Sequence, residues 1–282
     1  MRDFKEINTR NWLLKMIGIM QGRLTDAPYN ESLDWFPFDT WRREFQIAKI
    51  LGFDYIELVV DKESSNKNPI LSVEKMEEIK NEISNKRLST PTCCINFIIN
   101  NNIVEAEQRR KIQKIAENLQ SLKVKHLILP LFGASDPREI NTPALGAVLN
   151  ELSIIGAGSG LNLLIESNLD KKQQLSILEK VKNTKNIGIV YDIGNMKHCG
   201  FDLEDDLELL FQHIKLIHIK DKDEDGKNVR LGTGNVDFNK TLKLLSEKKY
   251  TGDFTLETSR GKNAVAEAEI NFNFIKSVTA ML

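Results

Sequence analysis

Length, composition and charge give the first limits on this protein. The chain has 282 residues, enough for one large domain or two small ones, and 41% of them are hydrophobic, which permits a sizeable core. Its 39 Lys and Arg residues against 40 Asp and Glu residues leave a formal net charge of -1. No overall positive field therefore attracts nucleic acid or an anionic membrane, and we expect neither as a partner.

The N-terminus and the cysteines indicate the cellular compartment of the protein. No apolar run approaches the ~18 residues of a membrane span, and residues 1–15 lack the charge and hydrophobic layout of a secretory signal. Two of the three cysteines, Cys93 and Cys94, are adjacent, which argues against a disulfide framework. The sequence predicts a cytoplasmic protein with an N-terminal extension over residues 1–15 and one domain over residues 16–282.

Short apolar or β-branched runs recur along the chain and predict eight strands: 16–20, 54–60, 88–95, 125–131, 161–166, 187–192, 214–220 and 252–257. Segments with helical spacing of apolar residues lie between them. Eight strands alternating with helices in a chain of this length are typical of the (β/α)8 barrel, which has ~250 residues. A doubly wound open sheet is the alternative, but it should carry a glycine-rich phosphate turn, which the segment 20–24 lacks. We predict an α/β protein with a single (β/α)8 TIM barrel.

Four consecutive predicted strands end in a side chain that can bind a metal: Glu166, Asp192, His218 and Glu257. Active sites of such barrels lie at the C-terminal ends of the strands, so these four side chains should converge. One charged residue at a strand end is usually solvated, but four in succession indicate a site. Two Glu, one Asp and one His suit a single divalent ion, Mn²⁺, Mg²⁺, Co²⁺ or Zn²⁺.

The order of these four residues resembles that of the xylose isomerase-like TIM barrels, and the segments 16–24 and 230–238 are similar to segments of that family. The resemblance covers residues 16–280. It implies that all four residues bind one metal and that Glu166 and Glu257 are also the acid/base pair. A metal stabilises the enediolate that forms when a C–H beside a carbonyl loses its proton, and a second carboxylate can return a proton. The implied activity is isomerisation or epimerisation of a sugar or sugar phosphate.

Four further residues are predicted to contact the substrate. Glu57 resembles a second-strand Glu of the family and is placed at the end of its strand, where a salt bridge at the barrel rim is the alternative. Lys220 shares a face with His218 and can hold a hydroxyl or phosphate, and Arg230 can grip a phosphate with two hydrogen bonds. Asn195 stands where ketose 3-epimerases commonly have His, which leaves the substrate's identity open. Asp221 is expected to orient the loop that follows the seventh strand.

Other functions use related sites. A metal-dependent dehydratase would eliminate water from a keto-polyol with the same ligands, so it stays an alternative. A non-catalytic carbohydrate-binding barrel would be favoured by loss of a ligand, and all four are present. The apurinic endonucleases of this family use several metals and histidines, whereas only His218 of the four histidines here is well placed. We therefore favour the isomerase or epimerase, as a monomer or a homo-oligomer.

Overall fold

The computed structural model describes residues 16–27, 33, 35–62, 67–182 and 184–281, so the predicted extension over residues 1–15 lies outside the described part. The predicted single (β/α)8 barrel is confirmed. Eight parallel strands form a closed barrel in chain order, and the eighth pairs with the first. The strands are β1 (Ile17–Met20), β2 (Tyr55–Val60), β3 (Thr92–Ile95), β4 (His126–Pro130), β5 (Asn162–Glu166), β6 (Ile187–Asp192), β7 (Ile214–Ile219) and β8 (Asp253–Leu256).

At least one helix connects each strand to the next along the chain. The α-helices are α1 (Trp41–Leu51), α2 (Met76–Lys86), α3 (Ala106–Gln120), α4 (Thr142–Gly158), α5 (Lys171–Glu179), α6 (Ile193–His198), α7 (Leu203–Leu210), α8 (Phe238–Glu247) and α9 (Ala264–Ala280). Short 3₁₀ helices cover Pro69–Leu71, Asn96–Ile99, Gly133–Ser135, Thr184–Asn186 and Phe211–His213. None of the helices in the described residues is long and apolar enough to span a membrane.

Every predicted strand contains an observed one, but the third begins later than predicted. Residues 88–91 precede β3 rather than belonging to it. Pro91 has no N–H to donate, and its carbonyl accepts hydrogen bonds from the backbone N–H groups of Lys125 and His126. The apolar run is therefore longer than the strand because it also includes the buried Leu88 that follows α2.

The barrel interior contains an apolar layer of side chains, and charged or polar side chains form the next layer toward the C-terminal ends of the strands. Leu164, Val190 and Leu216 pack with inward-facing residues of β1 to β4 in an interior cluster separate from the apolar layer between strands and helices. Successive side chains of a strand point to opposite faces, so the residue two positions further along also faces inward. That residue is Glu166 on β5, Asp192 on β6 and His218 on β7. The position of the apolar layer therefore sets the height of these side chains.

The loop that follows β1 is held by a buried carboxylate of α1. Glu44 is fully buried, and its side chain accepts hydrogen bonds from the backbone N–H groups of Gly22 and Leu24 at 2.9–3.0 Å. Burial raises the pKa of Glu44 to about 7, against the opposing effect of these hydrogen bonds. Arg260 binds the carbonyl of Gly22 from the other side, at 2.6 Å. These contacts fix the loop that carries Arg23.

We expect Glu44→Ala to lower the free energy of unfolding by about 2–4 kcal/mol, because two backbone N–H groups lose their partner in a buried environment. The matched control is Glu77→Ala on α2, an exposed carboxylate that pairs with Lys80, which should change stability by less than about 0.5 kcal/mol. Urea denaturation of both variants measures the difference. Equal losses in the two variants would show that Glu44 does not support the loop.

Candidate metal centre

The carboxyl ends of β5 to β8 bring the four predicted metal ligands together. Each of Glu166, Asp192, His218 and Glu257 is buried and offers one ligand atom, and these atoms all lie within 4.8 Å of one another. Ligand bonds of ~2.0–2.2 Å around a common ion keep ligand atoms within ~4.4 Å of each other, so only a small adjustment is needed. Three carboxylates and an imidazole are a donor set for a divalent ion. The residues present fit such a metal.

Two cations lie among these carboxylates. Lys220 Nζ is 2.8 Å from Asp192 Oδ2 and 2.8 Å from Glu257 Oε1. Arg23 Nη2 is 3.5 Å from the same oxygen of Glu257. Burial alone would lower the pKa of Lys220, but Asp192 and Glu257 outweigh it and raise that pKa above its ordinary value. Lys220 is therefore a charged group inside the cluster, at the place where its spacing from His218 predicted it.

The imidazole of His218 lies between carboxylates on both sides. Its Nδ1 is 3.1 Å from Glu257 Oε2 and 3.7 Å from Glu166 Oε2, whereas its Nε2 is 3.1 Å from Glu57 Oε1. Burial alone would lower the pKa of His218, but Glu57 and Glu166 hold that pKa well above its usual value. Nδ1 thus faces the metal-binding cluster, and Nε2 faces a carboxylate of the barrel interior.

Glu166 and Glu257 differ in their affinity for a proton. Burial raises the pKa of Glu166 to about 7, and the attraction of His218 offsets only part of this effect. Burial acts in the same direction on Glu257, but Lys220 and His218 outweigh it, so the pKa of Glu257 lies well below its ordinary value. Two carboxyl groups whose surroundings separate their pKa values in this way are suited to act as acid and base.

The prediction that Glu57 ends its strand is wrong. Glu57 is the third residue of β2, which continues to Val60, and its side chain is fully buried. One oxygen lies 3.1 Å from His218 Nε2, and the other accepts a hydrogen bond of 3.0 Å from the hydroxyl of Thr255. The carboxylate therefore neither forms a rim salt bridge nor lines the cavity described below. A carboxylate on the far nitrogen of a metal-binding histidine orients the ring and fixes its tautomer.

A cavity of about 370 Å³ opens beside the cluster and is large enough for a small ligand. Glu166, Glu257 and Lys220 form one part of its wall. The predicted substrate residue Asn195 also lines it, and the backbone N–H of Asn195 donates to Asp192 at 2.8 Å. The other lining residues are Met20, Leu33, Lys62, Cys94, Asn96, Ile99, Pro130, Phe132 and Asn228.

The loop after β7 places Arg230 away from this cavity. The guanidinium of Arg230 makes hydrogen bonds of 3.0 and 2.7 Å to the two carboxylate oxygens of Glu267 on α9, and its side chain is about half exposed. Arg230 is not among the residues that line the cavity. The structure therefore gives no support to the predicted substrate contact of Arg230.

Asp221 organises the loop that carries Arg230, as predicted. Its carboxylate accepts hydrogen bonds from the backbone N–H groups of Gly232, Gly234 and Val236 at 2.8–3.1 Å. A Cβ atom at Gly234 would lie 2.4 Å from an Asp221 oxygen, so only glycine permits this close approach. The glycines of the segment 230–238 therefore serve the loop's contact with Asp221.

Sequence analysis missed Asn96 and Asn228, two amides in the cavity wall. Asn96 directly follows β3 and is buried. Its position two residues after Cys94, on the inward parity of a strand, was the available signal.

Comparison with known proteins gives the family of this chain and two relatives with similar sequences. The xylose isomerase-like TIM barrel family matches residues 45–278, and the chain belongs to that family. It is 24% identical over 234 residues to L-ribulose-5-phosphate 3-epimerase UlaE of Escherichia coli, covering 78% of this chain and 82% of that protein. It is 29% identical over 142 residues to the protein MJ1311 of Methanocaldococcus jannaschii, covering 47% of this chain and 48% of that one. The chain thus spans about half the length of MJ1311.

A solved structure has the same fold. The D-allulose 3-epimerase of Methylomonas sp. superposes with a TM-score of 0.72 at 18% sequence identity, covering 93% of this chain and 97% of that chain. The likeness extends over the whole barrel and confirms its architecture.

We expect Glu57→Gln to weaken Mn²⁺ binding by about 10–100-fold, because the amide cannot replace the carboxylate that orients His218. Isothermal titration calorimetry measures the affinity. Glu78→Gln on α2, where the carboxylate is exposed, is the matched control and should bind Mn²⁺ like the wild type. Unchanged affinity in Glu57→Gln would show that His218 does not need this partner.

We also expect Mn²⁺ binding to release protons and to strengthen as the pH rises. Glu166, with a pKa of about 7, and His218, with a raised pKa, carry protons near neutral pH, and a metal must displace them. Each displaced proton makes the affinity rise about tenfold per pH unit below the pKa of its group. Titrations in buffers of different ionisation enthalpy count the protons, and Glu166→Gln should release fewer. An affinity that does not change between about pH 6 and about pH 8 would contradict this expectation.

Proposed function

We propose that this chain is a divalent-metal-dependent epimerase or isomerase of a sugar or sugar phosphate that acts by proton transfer through an enediolate. The observation that carries the proposal is the convergence of three carboxylates and one imidazole at one end of the barrel, beside a cavity. Membership of the xylose isomerase-like family and the similarity to a ribulose-phosphate 3-epimerase support it.

Glu166, Asp192, His218 and Glu257 are the residues that would hold the ion. When bound, a divalent ion supplies a Lewis acid that polarises the substrate carbonyl and stabilises the negative charge of the enediolate. Lys220 contributes a second positive charge next to the same carboxylates. Lys220 and Asn195 line the cavity, so we assign both of them to substrate oxygens. Glu57 and Arg230 do not line it and receive no such role.

Glu166 and Glu257 both line the cavity, so we assign proton transfer to this pair. One carboxylate would take the proton from the carbon beside the carbonyl, and the other, in its acid form, would return a proton to the enediolate. Return to the opposite face of the same carbon gives the epimer, and return to the neighbouring carbon gives the isomer. In the reverse reaction the two carboxyl groups exchange roles.

We expect Glu166→Gln and Glu257→Gln each to lose about 10²–10⁴-fold in turnover, the usual contribution of general acid–base catalysis. The measurement is solvent deuterium incorporation into ketoses and their phosphates by the metal-loaded full chain, read by NMR. Loss of water from the substrate in the same spectra would identify a dehydratase instead.

Glu78→Gln is the matched control, and it should exchange protons at the wild-type rate because Glu78 is exposed on α2. Undiminished exchange in both active-site variants would exclude the proposed acid and base. An absence of exchange in the wild type with every ketose and ketose phosphate would exclude the proposed activity.

A further inference from the structure

The cavity wall formed by β3 and the residues after it carries a polar group whose hydrogen bonding is incomplete. Asn96 is 3% exposed, and its Oδ1 accepts a hydrogen bond of 3.1 Å from the thiol of Cys94. The other end, Nδ2, is buried and has no hydrogen-bond partner in the described part of the chain. Buried donors without partners are rare and need an explanation.

A second amide in the same wall offers the complementary group. Asn228 Oδ1 is also buried, and no described residue donates a hydrogen bond to it. The cavity wall therefore contains one uncommitted donor, Asn96 Nδ2, and one uncommitted acceptor, Asn228 Oδ1. A hydroxyl group both donates and accepts hydrogen bonds, whereas a phosphate dianion only accepts them. This pair of amides thus suits hydroxyl groups.

The charges at the site point the same way. Lys220 is bound to Asp192 and Glu257, and Arg23 lies next to Glu257. These two cations and a divalent ion would together just balance the four carboxylates of the site, Glu57 included. The charged cluster itself then has no surplus positive charge, whereas a tight phosphate site requires one.

The remaining cations near the cavity have other partners. Lys62 lines the wall but already interacts with another part of the chain, and Arg230 binds Glu267. The undescribed residues 28–32, 34 and 63–66, which adjoin the lining residues Leu33 and Lys62 in sequence, contain no Lys or Arg. Ile99, Pro130 and Phe132 add an apolar surface, against which a phosphate would lose water without compensation.

We propose that the cavity takes an unphosphorylated ketose and that the Asn96 amide nitrogen donates a hydrogen bond to a hydroxyl group remote from the reacting carbons. This inference rests on the proposed function and gives its substrate class. The carboxylates, Lys220 and the metal would bind the reacting end of the sugar. The amides and the apolar wall would bind the other end.

The first experiment compares free ketopentoses and ketohexoses with their phosphates, by solvent deuterium exchange with the Mn²⁺-loaded full chain. We expect kcat/KM to be at least about tenfold higher for a free ketose than for its own phosphate, a difference of one hydrogen-bonded or charged contact. A preference for the phosphate would overturn this inference and leave the proposed function intact. Absence of exchange with both forms would instead overturn the proposed function.

The second experiment tests Asn96 with the best ketose of the first. We expect Asn96→Leu to raise KM by about 3–30-fold with little change in kcat, because it removes a contact that is equally strong in the bound substrate and the transition state. Asn100→Leu, at the exposed residue that follows the same 3₁₀ helix, is the matched control and should leave KM unchanged. Mn²⁺ affinity should be unchanged in both variants, which separates substrate binding from damage to the metal centre.

A deoxy-ketose that lacks the bound hydroxyl gives the sharpest readout. The wild type should lose affinity for it, and Asn96→Leu should then bind the deoxy and parent sugars equally. If Asn96→Leu does not fold, Asn96→Ala serves the same comparison. A KM for the parent ketose that stays at the wild-type value in a folded variant with normal Mn²⁺ affinity would overturn the assignment of Asn96.

Discussion

The site depends on the alternation of side chains along parallel strands that are in register. Leu164, Val190 and Leu216 fill the same apolar layer inside the barrel, so the inward-facing residues two positions later reach the same height. Asp192 pairs in register with His218, and His218 with Thr255 on β8. The pairing of β8 with β7 then brings Glu257, the residue after β8, next to the imidazole of His218. No loop rearrangement is needed to form the cluster.

Four buried carboxylates require opposite charges nearby, and these charges also shift the pKa values of Glu166 and Glu257. Glu57, Glu166, Asp192 and Glu257 are each nine-tenths or more buried, and an unpaired buried charge is costly. His218, Lys220 and Arg23 provide the opposite charge, but unequally. Glu257 contacts all three cationic groups, and its pKa is lowered, whereas burial outweighs the attraction of His218 at Glu166 and raises that pKa to about 7. The charge pairing of the core thereby makes two neighbouring carboxyl groups differ in their affinity for a proton.

The sequence predicted what depends on local pattern and missed what depends on distant contacts. The eight strands and the four candidate metal ligands could be predicted because an apolar run followed by a carboxylate or imidazole marks a strand end. Glu57 shows the same local pattern in the middle of β2, and its partner His218 lies 161 residues away. The partner of Arg230, Glu267, lies on α9, 37 residues further along the chain. Asn96 was missed because a neutral amide after a strand is common. What distinguishes it is a buried amide nitrogen that has no hydrogen-bond partner among the described residues.

Two sets of strands contribute different kinds of side chain to the site. β5 to β8 carry the charged cluster, which can support proton transfer on any substrate that presents a carbonyl beside a C–H. Met20, Cys94, Asn96 and Pro130, on or directly after β1, β3 and β4, form the uncharged part of the cavity wall. Two charged residues cross this division: Glu57 of β2 contacts His218, and Arg23 after β1 contacts Glu257. Under the proposed function, changes in the uncharged wall would alter which sugar is bound and leave the charged residues of β5 to β8 in place, as the loop variation of this fold allows.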